Sequence, residues 1–68
     1  MTIKRRFEFP SAVVASYFAT DLMEIKIHRY AWCEWAVVVI LEDESKKEAV
    51  DRLASARSGK PTDEWSEK

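Results

Sequence analysis

Sixty-eight residues contain one glycine, two prolines, one cysteine and one histidine, and each scarcity excludes something. A lone cysteine, Cys33, forbids an internal disulfide, and with His28 as the only histidine there is no Cys/His cluster to staple the chain with zinc. No nucleotide-binding motif is present. The longest uncharged apolar run, Ala36 to Leu41, is far too short to span a bilayer. Basic residues near the start have no apolar signal core behind them, so a cytoplasmic protein is the expectation.

Strong charge of one sign is also lacking. The formal charge is −1, which argues against wholesale binding to nucleic acid or to a membrane surface. The distribution is nonetheless uneven: Lys4, Arg5, Arg6, Lys26 and Arg29 outnumber Glu8, Asp21 and Glu24 in the first thirty residues, and the remainder is net acidic. A single domain of this length sits near the size at which one hydrophobic core only just offsets the entropy lost on folding. Without disulfide or metal, either the packing is very good or a second chain supplies surface.

What is present is apolar and aromatic mass, concentrated in RYAWCEWAVVVILED, residues 29 to 43. Before it, residues 2 to 9 alternate, with Ile3, Phe7 and Phe9 on one face and Lys4, Arg6 and Glu8 on the other; Arg5 is the exception. This predicts a strand. Pro10 and Ser11 break the period, and Ser11 can cap a helix whose apolar positions Val14, Tyr17, Phe18 and Leu22 recur at spacings of three and four. From Met23 the period returns to two, with Met23, Ile25 and Ile27 opposite Glu24, Lys26 and His28, which predicts a second strand. Length alone places a turn at about Tyr30 to Glu34, since no Gly, Pro or Asn marks one between residues 22 and 43. Residues 35 to 42 then make a third strand.

Ser45-Lys46-Lys47-Glu48 fits a capping box for a second helix with a stripe of Ala49, Val50, Leu53 and Ala54, continued by Arg57. Gly59, expected in the left-handed conformation, and Pro61 stop it. Residues 61 to 68 read as a loosely held polar tail, leaving 1 to 60 as one domain. The predicted order is β-α-β-β-α: an α+β fold with a three-stranded sheet and both helices on one face. In topology alone this resembles a ferredoxin-like fold lacking its last strand, and such a resemblance carries no function.

Strand three offers apolar side chains to both faces, although only one helical layer is available to cover it. The open face should therefore carry an apolar stripe flanked by aromatics, and contiguous exposed apolar patches mark interaction sites. The expected function is that of a small non-enzymatic accessory or regulatory protein. It would self-associate as a homodimer, or dock on another protein, through Tyr30, Trp32, Trp35 and Val38. Alternatively, the aromatics and Trp65 fold over the stripe in a monomer. A second hypothesis takes Lys4, Arg6, Lys26 and His28, with Tyr30 and Trp32 continuing the same parity, as a single-stranded nucleic-acid platform of cations beside stacking rings.

His28 and Cys33 suggest a base and a nucleophile only by residue type, with no orienting group or oxyanion site specified. The acidic run Glu42, Asp43, Glu44 lacks the spaced ligands and glycine of a calcium loop and reads as helix-start electrostatics. No cofactor, metal or small-molecule substrate is indicated.

Overall fold

The computed structural model describes residues 2–67. The alternation near the start forms β1 (Ile3–Glu8), and Ser11 then caps α1 (Ala12–Glu24), its Oγ accepting from the Val14 amide at 3.2 Å. The apolar residues of α1 that reach the core are Ala15, Phe18, Ala19 and Leu22. β2 (Tyr30–Cys33), β3 (Ala36–Leu41), α2 (Lys47–Ala56) and a two-residue β4 (Lys60–Pro61) follow.

The fold is a small α+β domain with two helices and a four-stranded antiparallel sheet in the order β2-β3-β1-β4. Ile3 and Phe7 of β1 and Val37, Val39 and Leu41 of β3 form one buried cluster with Phe18 and Leu22 of α1 and Val50 and Ala54 of α2. Both helices therefore cover the same face of the sheet. Arg5, the break in the alternation of β1, belongs to that face too. It stays half-buried by carrying its guanidinium to the margin, where it meets Asp51 of α2 at 3.0 Å.

Six expectations need correction. The alternation from Met23 does not form a strand: Phe18, Leu22 and Ile25 also stand at helical spacing, and the helix continues through Glu24. It closes on Lys26, at φ 67°, with the Ile27 amide bonded to the Leu22 carbonyl and the Lys26 amide to that of Met23. That is a Schellman closure, with buried Leu22 and Ile27 supplying its hydrophobic contact. β2 accordingly starts seven residues later than the alternation does, at Tyr30.

The hairpin turn is Glu34-Trp35, sharing only Glu34 with the expected Tyr30 to Glu34, since Cys33 pairs directly with Ala36. Glu34 takes φ 55°, the left-handed requirement that glycine usually meets in two-residue turns, which is why turn chemistry did not mark it.

The capping box does not form. Lys46 is the N-cap of α2 and has no side-chain cap bond, while Ser45 gives both its amide and its hydroxyl to Asp43 Oδ1, at 2.9 and 2.6 Å. At the other end Ser58, not Gly59, takes the positive φ, 61°.

The three-stranded sheet gains a fourth strand, and the expected tail is held along β1. Thr62 donates to the Arg6 carbonyl, Ser66 and Lys4 exchange backbone bonds of 3.1 and 2.8 Å, and Trp65 stands edge-on to Phe7. A polar composition concealed this because the ladder is made by backbone groups and only Trp65 packs. Met1 and Lys68, the ends of the expected domain and tail, lie outside the described residues.

Candidate interaction surface

The face away from the helices has no second layer among the described residues. Its register is fixed: Lys4, Arg6 and Glu8 of β1 lie opposite Ile40, Val38 and Ala36, and Val38 and Ala36 lie opposite Ala31 and Cys33 of β2. Directly opposed residues share a face. A row of cations and one carboxylate thus borders an apolar row, which borders two small exposed residues on the edge strand. Arg6 closes on Glu8 at 2.8 Å, so its charge is matched within its own row.

The expected stripe on β3 exists, but it is narrow. Ala36 is buried and Val38 and Ile40 are half-buried by the flanking side chains. Trp65 does not lie over it, since its indole is on the helix side and donates to Asp51 at 3.1 Å.

Two of the four residues expected at the contact surface lie elsewhere than parity suggests. Tyr30 and Trp32 pair with Val39 and Val37, which places them on the helix side of the sheet, not beside Lys4 and Arg6. The strand expected from Met23 to His28 does not form, so counting alternation from Met23 carries no information about β2. Tyr30 packs against the core, whereas Trp32, at the edge, keeps 46% of its surface exposed and bonds its indole N–H to the Glu34 carbonyl at 2.7 Å. Trp35 occupies the turn with 49% exposed, its carbonyl accepting the Phe9 amide at 2.8 Å. Val38 is at the middle of the open face. The hairpin β2–β3 therefore unites all four residues, while the open face holds Val38 alone of them.

Lys26 and His28 are on neither strand. They lie in the α1–β2 connection and, with Arg29, Ile40, Asp43 and Lys46, line an open cavity of about 330 Å³ at the end of the sheet away from the turn. Lys46 is committed there, donating to the Ile25 carbonyl at 2.7 Å. The two Ser45 bonds hold the Asp43 carboxyl below its ordinary value. The basic set expected together is thus split, Lys4 and Arg6 on the open face, Lys26 and His28 around this cavity.

His28 precedes β2 and Cys33 ends it, so they stand at opposite ends of the strand. Among the described residues no group of three His, Cys, Asp or Glu could hold a metal ion, and no helix is long and apolar enough to cross a membrane. Sequence reasoning missed Asp51, on which Arg5 and Trp65 converge, because nothing in its neighbours announces a role. No family model, no curated protein and no solved structure matches this chain.

Proposed function

We propose that this protein is a non-enzymatic protein-binding module that self-associates, with the β2–β3 hairpin as its contact surface. The observation that carries the reading is the placement of Trp32 and Trp35, each about half exposed, at the edge strand and turn of a hairpin whose other face, with Ala31, Cys33 and Val38, has no covering layer among the described residues. Large aromatics left at a surface dominate contact energetics when a partner removes them from water. A chain this short gains more than a large one from shared apolar surface.

The finer reading of the fold as ferredoxin-like belongs to the same proposal. The element order β-α-β-β-α-β and the sheet order β2-β3-β1-β4 support it, and it adds nothing about function. A cytoplasmic setting is likewise proposed, on the single unpaired cysteine.

Light scattering after size exclusion, over a wide concentration range, tests the reading. The mass should rise from that of one chain toward that of two, and Trp32→Ala should move the transition to higher concentration. A mass that stays at one chain throughout would end the proposal.

A further inference from the structure

We infer that the self-association proposed above, on which this inference rests, occurs edge to edge: β2 pairs antiparallel with β2 of a second copy, about a two-fold axis at Ala31. The phase of the sheet's hydrogen bonds is the starting point. Ile40 donates to the Arg29 carbonyl at 3.1 Å, so positions 29 and 40 form a hydrogen-bonded pair. In an antiparallel ladder such pairs alternate, so Ala31 with Val38 and Cys33 with Ala36 are hydrogen-bonded as well. The peptide groups of Ala31 and Cys33 are thereby committed to β3. Those of Tyr30 and Trp32 point out of the sheet, and no bond among the described residues takes them.

The two edges of the sheet are treated differently. β4 is two residues long and consists of a lysine and a proline, devices that blunt an edge against further pairing. β2 is longer and carries no charge and no proline. It is the edge left open.

Self-complementarity identifies the occupant as a second copy. Setting Tyr30 opposite Trp32 of the partner subunit engages the outward groups of both strands at once and leaves Ala31 facing Ala31 of the partner subunit across the axis. Two aromatic cross-strand pairs then form on the helix side, and the smallest side chain of the strand sits where the chains approach most closely. Arg29, which also meets Glu42 of its own copy at 3.5 Å, precedes the strand and Glu34 follows it, so an antiparallel two-fold brings the Arg29 end of each copy beside the Glu34 end of the other. Stacking of two open faces fits less well, because its apolar row is already half-buried while the exposed indole of Trp32 is at the edge.

Cysteine cross-linking reads the register. A pair without ladder bonds has its α-carbons about 4.5 Å apart, within disulfide reach. Residues 33 of the two copies would be offset by four positions, about 13 Å along the strand, beyond that reach. Under mild oxidation the Ala31→Cys/Cys33→Ser chain should therefore become a disulfide-linked dimer, and the native chain, through Cys33, should not. Trp32→Pro, which removes an outward N–H and no bond to β3, should weaken dimerisation about tenfold or more while the far-ultraviolet circular dichroism is kept. A dimer by light scattering that Ala31→Cys fails to cross-link, or that Cys33 cross-links as readily, would overturn the edge geometry and leave self-association standing. A single-chain mass at every concentration would overturn both.

Discussion

Gly59 stands against the ring of Phe9: a β-carbon on Gly59 would lie 2.9 Å from Cδ2 and Cζ of that ring and closer still to Cε2. Phe9 is buried and packs on Phe18 at 4.7 Å between ring centroids, so it cannot swing away without disturbing the core. The glycine after α2 is therefore required for space and not for backbone conformation. Gly59→Ala should cost about 1–3 kcal/mol by overpacking. Urea unfolding measures it, and Phe9→Leu in the same chain should recover part of the loss. An alanine at 59 without effect would show the ring to be more mobile than its burial implies.

The left-handed positions at the helix ends are held by Lys26 and Ser58, at φ 67° and 61°. Side chains with a β-carbon resist this region and glycine does not. Lys26→Gly and Ser58→Gly should each stabilise the fold, by about 0.5–1 kcal/mol. Thermal unfolding of the single and double variants checks both the gain and its additivity, since the sites close different helices. A loss of stability at either would mean that the side chain contributes more than the backbone relief.

Asp51 holds the last described residues to the domain. It accepts from Arg5 at 3.0 Å and from the Trp65 indole at 3.1 Å, and Trp65 covers Phe7. Asp51→Ala should lose about 1–2 kcal/mol, as expected when the Arg5 guanidinium and the Trp65 indole N–H lose a part-exposed carboxylate acceptor. The amide protons of Lys4 and Ser66, bonded to each other's carbonyls, should exchange faster with solvent. Unchanged exchange would assign the anchoring to the backbone ladder alone.

Asp43 contributes a pH dependence whose sign is fixed by its environment. The Ser45 hydroxyl and then the Ser45 amide, the two largest influences, hold its carboxyl below the ordinary value. A depressed carboxyl stabilises the fold above the pH range in which the unfolded chain titrates, and the contribution is lost as pH falls through the folded value. Asp43→Asn should thus be less stable than the native chain near neutrality, and the difference should disappear in strong acid. Titration by carboxyl NMR in Ser45→Ala should find the Asp43 midpoint raised.

Legibility followed the length of the periodic signal. β1 and the Ser11 cap could be read because eight residues of alternation and one side-chain acceptor each have a single physical interpretation. Residues 23 to 28 admit two, because Ile25 satisfies an alternating period and also extends the helical stripe of Phe18 and Leu22. The helix takes Met23 and Glu24 and closes through Ile25 and Lys26, with Ile25 packed against the core. The bare face was legible from the two-sided apolar character of 36 to 41. The faces of Tyr30 and Trp32 were not, because they depend on a register set by a turn at Glu34-Trp35 that lacks glycine. β4 makes its bonds through the backbone, where side-chain composition says little.

That register also bears on nucleic acid. A stacking platform needs rings beside cations, and the pairing of Tyr30 and Trp32 with Val39 and Val37 puts both rings on the side of the sheet opposite to Lys4 and Arg6. Arg6 is further engaged by Glu8, and Lys26 and His28 belong to a different region. Mixed single-stranded oligonucleotides should therefore show no binding at low salt, where phosphate contacts are strongest. Fluorescence anisotropy measures it, with Arg6→Glu and Lys26→Glu as controls that should leave the signal unchanged. Binding that weakens steeply with salt and is lost in either variant would return the basic residues to the centre of the protein's function and displace the hairpin from it.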